Sequence, residues 1–289
     1  MESENKSDSK PYKRHSLKRV SDSDKKVLNI KESKILENKF GENLIKEFSL
    51  VDLSHLYFYH YCCESVDDTN WGCAWRSMQT VLKYQLSLTN QYKDNEISFY
   101  NLFMKYGAKN TLIEIYKKMK KNENISEKIK ILNKKHFSPH ETESGWAEPF
   151  ISQLVLYDFG FEGELLLIND YKSMFFAPKE VFDEIIDFSK FKELLKNHFR
   201  QKNPVPIILD DGCISVSVFG VKFDQDNNNI DLIFMDPHAI NKPEIGIYII
   251  TLDENGEFIN INPFEHVLAS EAIMFSNKKP WMVYFPKSN

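Results

Sequence analysis

The chain has 289 residues, 42% hydrophobic and 13% aromatic, with a formal net charge of -5. That is enough for one large domain or two modest ones with a core, and charges of both signs mixed along the chain leave no broad basic face for nucleic acid. The longest apolar runs, such as "IGIYIIT" and "PVPIIL", fall far short of the roughly 18 residues that cross a bilayer, and the start "MESENKSDSK" has no apolar signal core, so no transmembrane segment and a cytoplasmic location are expected.

Residues 1 to about 30 are rich in Lys, Ser and Asp. Eight basic residues from Lys6 to Lys26 against five acidic ones from Glu2 to Asp24 give 8 − 5 = +3. Such a segment buries too little to offset its ordering entropy and is expected to be a disordered tail, leaving 31–289 as the domain. Four cysteines, two of them adjacent at Cys62 and Cys63, make no disulfide framework. "HYCC" followed by Cys73 lacks the paired ligand spacing of a zinc site, so reduced thiols, no metal and no cofactor are expected.

The stretch "DDTNWGCAWRSMQT", residues 67–80, predicts a helix start. Asp67, Asp68, Thr69 and Asn70 are capping types, and Met78, Val81, Leu82 and Leu86 recur at helical spacing. Cys73 then falls at the helix N-terminus, where unpaired N–H groups and the helix dipole favour a thiolate. A Lys- and Asn-rich insert follows at about 92–143, with one predicted helix over 101–121 and little that must be core. The block 144–161 predicts a helix capped by Ser144, apolar through Phe150, Ile151, Leu154 and Val155, and stopped at Gly160. Another helix is predicted over 181–199. From residue 204 the pattern turns to strands: "PVPIIL", "CISVSVFGVKF", "IDLIFMDPH", "IGIYIITL" and "WMVYF", with "DQDNNN" and "DENGEF" as hairpin loops. Helices before a mainly antiparallel sheet make an α+β layout.

A cysteine nucleophile needs a base and a group that orients the base. Of eight histidines, His15, His136, His140 and His198 are expected in solvated settings, His55 and His60 precede the nucleophile segment, and His266 lies in an irregular loop. His238 differs. It ends the strand "LIFMDPH", where residues i and i+2 project to the same face and put the Asp236 carboxylate beside the imidazole. Taken alone, an Asp-Pro-His tripeptide is weak evidence, and a turn in which Asp236 caps backbone N–H groups is its more ordinary explanation.

Together, "HYCCESVDDTNWGCAWRSMQT" and "LIFMDPH" closely resemble the ubiquitin-fold-modifier-specific cysteine proteases, and so do "GWAEPFISQLVLYDFG" and "PVPIILDDGCISVSVFGVKF". The resemblance covers about 50–285. It implies a papain-like fold, with the nucleophile helix packed on a mainly antiparallel sheet. It also implies Cys73 as nucleophile, His238 as general base, Asp236 as its orienter, and Tyr61, twelve residues before the nucleophile, as an oxyanion donor. The implied reaction is cleavage after the C-terminal glycine of ubiquitin-fold modifier, maturing its precursor and removing it from substrate lysines. The implied partners are the modifier, its conjugates and an adaptor that recruits the enzyme to the endoplasmic reticulum surface. Trp71 and Trp146 are candidates for the channel that holds the modifier's tail, with core packing equally open.

Three positions depart from the family pattern: Trp146-Ala147-Glu148 stands for Trp-Ile-Gly, Asp210-Asp211-Gly212 for a glycine-rich turn, and Ser215-Val216 for Ala-His. The alternatives are an autophagin-type protease for the autophagy modifier, which shares the Trp-Gly-Cys and Asp-Pro-His motifs, a modifier-binding pseudoprotease, and a non-catalytic scaffold.

Overall fold

The computed structural model describes residues 27–89, 94–120, 129–130, 139–140, 145, 147–168, 179–212, 214–224, 226, 228–239, 246–262 and 281–287. Most of the expected tail, Ser144, Trp146, His15, His136 and His266 lie outside the described residues. Before the central helix the chain forms only short pieces: β1 (Leu28–Asn29), α1 (Ile30–Ser33), α2 (Ile35–Phe40), α3 (Glu42–Ile45), β2 (Ser49–Leu50) and β3 (Tyr57–Phe58).

Helix α4 (Cys73–Thr89) begins at the cysteine, as the cap-then-periodic pattern predicts. Its environment differs from the amphipathic expectation. Every residue from Cys73 to Leu86 is buried, including Arg76, Ser77, Gln79, Thr80, Lys83 and Gln85. A buried polar group costs free energy unless it finds a partner. Ser77 Oγ accordingly donates to the Ser215 carbonyl at 3.0 Å, and Gln79 Nε2 donates to Glu64 Oε2 and the Ile97 carbonyl, each at 2.9 Å.

The insert is more structured than its composition suggests. The single helix predicted over 101–121 is two, α5 (Phe99–Tyr106) and α6 (Lys109–Met119), and they bury Phe99, Leu102, Phe103, Tyr106, Leu112, Ile115 and Tyr116. The break is at Gly107, where His140 packs in: a Cβ there would sit 2.3 Å from the imidazole, and His140 Nε2 lies 2.8 Å from the Phe103 carbonyl. His140 is therefore a packing residue rather than a solvated one.

Helix α7 (Pro149–Asp158) buries Phe150, Ile151, Leu154 and Val155, as predicted, with Pro149 at its first turn. Strand β4 (Gly163–Ile168) follows, in a segment without a predicted strand. The helix predicted over 181–199 begins late. Ile185 and Ile186 belong to β5 (Glu184–Ile186), and α8 (Phe188–Phe199) starts after Asp187, whose side chain accepts from the Lys190 N–H at 2.7 Å. His198 on α8 is buried, not solvated. Its Nε2 lies 2.6 Å from the Val205 carbonyl, and desolvation lowers its pKa.

The remaining strands are β6 (Ile207–Asp210), β7 (Ser215–Phe223), β8 (Ile230–Met235), β9 (Ile247–Leu252), β10 (Phe258–Asn262) and β11 (Trp281–Pro286). Among the described residues they join in the order β10-β9-β8-β7-β6-β11-β4-β5, with β2 paired to β7. Every pairing is antiparallel except β4 with β5. Consecutive buried residues in β6, β7 and β11 mean that both faces of the sheet centre are covered. Helix α4 lies against β6, β7 and α7. A helix that begins at Cys73 and packs on a mainly antiparallel sheet is the α+β layout expected from the sequence.

Candidate active site

The strand β8 delivers the first two groups. It ends at Met235, and the next three residues, Asp236-Pro237-His238, turn out of the sheet after the Asp236 N–H has donated to the Gly246 carbonyl at 2.7 Å. His238 Nδ1 lies 2.5 Å from Asp236 Oδ1, and the His238 backbone N–H donates to the same oxygen at 3.0 Å. The carboxylate therefore holds a proton on Nδ1, which leaves Nε2 as an acceptor. The hydroxyl of Tyr61 donates to that nitrogen across 3.1 Å, and the two rings meet edge-on with centroids 4.8 Å apart.

Tyr61 is fixed from both ends. Its backbone N–H donates to the Pro237 carbonyl at 2.8 Å, and its side chain is buried against Cys62 and Cys73. The Ser215 backbone N–H donates to the Cys73 sulfur, and the Tyr61 oxygen, its one proton engaged by Nε2, accepts from the Cys73 thiol. The fold thus brings together all four residues singled out in the sequence: Cys73, Asp236, His238 and Tyr61.

Gly72, before Cys73, is required by geometry. A Cβ there would lie 2.2 Å from Asp68 Oδ2, because the Asp68 carboxylate is pressed against the backbone at the helix start. Asp68 was expected to be a capping residue. It does bind backbone, accepting the Cys62 N–H at 2.7 Å, and it also pairs with Arg76, whose Nε lies 2.7 Å away.

The electrostatics depart from expectation. Cys73 is 2% exposed, and burial, then Asp210, push its thiol up to about 12, against the opposing hydrogen bonds with Ser215 and Tyr61. Desolvation outweighs the helix dipole, which falls off within a turn and contributes about 1 kcal/mol. In this conformation burial favours the thiol over the thiolate. Asp210 is itself raised by burial, and by the neighbouring carboxyls of Asp211 and Glu148. Glu148, half-buried at the start of α7, is raised to about 7 by desolvation. Both Glu148 and Asp210 are positions where the sequence departs from the family pattern.

Residues 47–139 match peptidase family C78. A probable Ufm1-specific protease of Oryza sativa subsp. japonica is 50% identical over 36 residues, 12% of this chain and 6% of its own length. Ufm1-specific protease 2 of Gallus gallus is 21% identical over 193 residues, and that of Rattus norvegicus 22% over 193; each alignment covers 66% of this chain. The chain spans about one third of the length of these two curated relatives, 33% in each case. The crystal structure of UfSP from C. elegans overlays with a TM-score of 0.47 at 15% identity, covering 84% of this chain and 34% of that one. The resemblance to Ufm1-specific proteases, first seen in the motifs, holds.

The C78 match includes Tyr61 and Cys73, while Asp236 and His238 lie beyond it. Of the two candidate channel tryptophans, Trp71 is half-buried and packs edge-on against Phe99 and Phe103, each at 5.4 Å. His60 is buried, with Nδ1 2.9 Å from the Tyr61 carbonyl, so it shapes the Tyr61 segment without reaching the reacting groups by that nitrogen. Among the described residues no His, Cys, Asp or Glu group is arranged to hold a metal, and no helix is long and apolar enough to cross a membrane.

Proposed function

We propose that this chain is a thiol peptidase that cleaves after the C-terminal glycine of ubiquitin-fold modifier, maturing the precursor and releasing the modifier from substrate lysines. The observation that carries the reading is the Asp236–His238–Tyr61 chain of hydrogen bonds, which ends at the sulfur of Cys73. The names of the C78-type relatives supply the substrate class.

The chemistry follows from the thiol's high pKa. Burial favours the neutral thiol, so in this reading the proton leaves Cys73 as the sulfur attacks, and His238 Nε2 accepts it. Asp236 stabilises the resulting imidazolium. Tyr61 gives up Nε2 and turns its hydroxyl to the oxygen of the tetrahedral intermediate. Collapse breaks the C–N bond, the imidazolium protonates the departing amine, and water then releases the glycine carboxylate from the thioester. Cys73 must become more accessible before a carbonyl reaches it, since it is 2% exposed here.

The test is a ubiquitin-fold modifier carrying a C-terminal electrophile, run beside ubiquitin and autophagy-modifier probes. Mass spectrometry should place the adduct on Cys73, and Cys73→Ala should give none. Tyr61→Phe should lower kcat by about 10²- to 10³-fold with little change in KM. Preferential labelling by the autophagy-modifier probe would sink the substrate assignment and favour an autophagin-type enzyme. A cytoplasmic site of action, with an adaptor at the endoplasmic reticulum surface, belongs to the same proposal and is tested by fractionation with and without the adaptor.

A further inference from the structure

The segment that carries Tyr61 toward His238 is backbone-strained. Within residues 62–70, four non-glycine residues have positive φ: Cys62 at 60°, Glu64 at 63°, Ser65 at 59° and Asn70 at 69°. L-residues seldom adopt this region, and a run of them persists only where surrounding structure overdetermines it. Here the overdetermining group is Arg76, one helical turn beyond Cys73 and 0% exposed.

All five guanidinium N–H donors of Arg76 are used. Nε donates to Asp68 Oδ2 at 2.7 Å and Nη2 to Asp68 Oδ1 at 3.2 Å. Nη2 also reaches the Cys63 carbonyl at 2.9 Å, and Nη1 reaches Glu64 Oε2 at 2.6 Å and Gln79 Oε1 at 2.9 Å. Asp68 in turn holds the Cys62 N–H, one residue from Tyr61, and Glu64 holds the Phe99 N–H at 3.2 Å and Gln79 Nε2 at 2.9 Å. The guanidinium lies over the Phe99 ring, 4.2 Å from its centroid.

We propose that Arg76, through Asp68 and Glu64, is the positioning residue for Tyr61: it clasps the strained loop to the nucleophile's own helix, so that the Tyr61 hydroxyl is held in line with both Cys73 and His238 Nε2. This rests on the thiol-peptidase reading above. Arginine is required because the clasp is a planar fork reaching two carboxylates and a carbonyl in fixed directions, which a lysine ammonium with three rotatable donors does not reproduce. A clasp that served only stability would have no reason to act through the phenol, and the two roles separate by experiment.

Four variants are compared well below their melting temperatures: Glu64→Gln, Arg76→Lys, Tyr61→Phe, and Glu64→Gln combined with Tyr61→Phe. Glu64→Gln keeps the side chain's shape at a site 24% exposed, so it reports even if Arg76→Lys does not fold. Both clasp variants should lower kcat by on the order of 10- to 10²-fold with KM nearly unchanged, the scale of a small misplacement of a reacting group. In the Tyr61→Phe background, Glu64→Gln should cost almost nothing more, because the group it aligns is already gone. The NMR signal of the His238 ring nitrogen, recorded without substrate, should shift in Glu64→Gln as it does in Tyr61→Phe. Fully additive losses, or an unmoved histidine signal in a clasp variant whose kcat falls, would overturn the proposal and leave the peptidase reading intact. If the wild-type protein reacts with no modifier probe, the peptidase reading fails, and the histidine signal still decides whether Arg76 sets the Tyr61–His238 contact.

Discussion

Arg76 takes its charge into the interior with Asp68 and Glu64 at 2.7 and 2.6 Å, whereas Asp210, at the end of β6, is a buried carboxyl whose ionisation Glu148 makes costlier still. Both groups sit close to Cys73 along the chain or in space, and both are desolvated. The difference lies in pairing. A buried cation with a full set of acceptors stays charged and fixes geometry, while buried carboxyls close to one another ionise less readily, because each one that ionises makes it harder for its neighbours to do so. Cys73 therefore stands between a rigid, ionic side that positions Tyr61 and a buried acidic side, with burial the first cause of its raised pKa and Asp210 the second.

Breaking the paired side should give the larger effect. Arg76→Met keeps most of the volume but leaves Asp68, 0% exposed in its side chain, without its cation. Removing one partner of a buried pair costs about 3–5 kcal/mol, and urea unfolding should show a loss of that size. A change under about 1 kcal/mol would mean that water reaches Asp68 freely and that the pairing is not what fixes the loop.

On the acidic side, a smaller change is expected in the opposite direction. Asp210→Asn keeps an oxygen to accept the Gly212 N–H, now 2.6 Å from Oδ1, and removes the carboxyl that competes with Cys73 for ionisation. The thiol should become more acidic, so alkylation of Cys73 by iodoacetamide at pH 8 should speed up relative to wild type, with Cys73→Ala as the blank. An unchanged rate would assign the high thiol pKa to burial alone.

The two sides also differ in how far the sequence discloses them. Asp236 and His238 were legible as a pair because they stand two residues apart, although what joins them is a turn after β8, closed by the His238 N–H on Asp236 Oδ1, and not the strand alternation expected; Cys73 was legible because caps and apolar spacing mark a helix start. Tyr61 came only from the family resemblance, since nothing in "YFYHY" separates a catalytic phenol from a packing one. Arg76 stood in plain view yet was missed: its bond to Asp68, eight residues earlier, forms only because the loop doubles back on the helix, and helical periodicity assigns such a residue to solvent. The available signal was the density of polar residues in a helix long enough to cross the core. The altered turn at Asp210 was visible as a departure from the family pattern, but its effect on the cysteine depends on register, which sets Asp210 opposite Ser215 beside the sulfur. Gly107, whose break in the insert depends on His140, was hidden for the same reason: the contact spans more than 30 residues.

The smallest effect should be the pH dependence contributed by Glu148. Its folded pKa is raised to about 7 from the ordinary value of 4.5, and desolvation is the cause. A carboxyl raised on folding is most compatible with the folded state when protonated. Its contribution is therefore fully present below about pH 4.5, is lost as pH rises toward 7, and stays lost above that. Other groups move in their own directions over the same range: Asp210 is also raised, and buried His198, lowered, favours the folded state at higher pH. A single melting curve therefore cannot isolate Glu148, but the difference between two proteins can. Glu148→Gln replaces the carboxyl with a neutral group of nearly the same shape, and the Glu148 side chain makes no capping hydrogen bond to α7 that the change would break. The melting temperature of Glu148→Gln minus that of wild type should be near zero at pH 4.5, become positive between pH 5 and 7, and level off above pH 7. A difference that stays constant across the range would show that the carboxyl is hydrated in the folded protein, and that the acidic side near Cys73 is Asp210 alone.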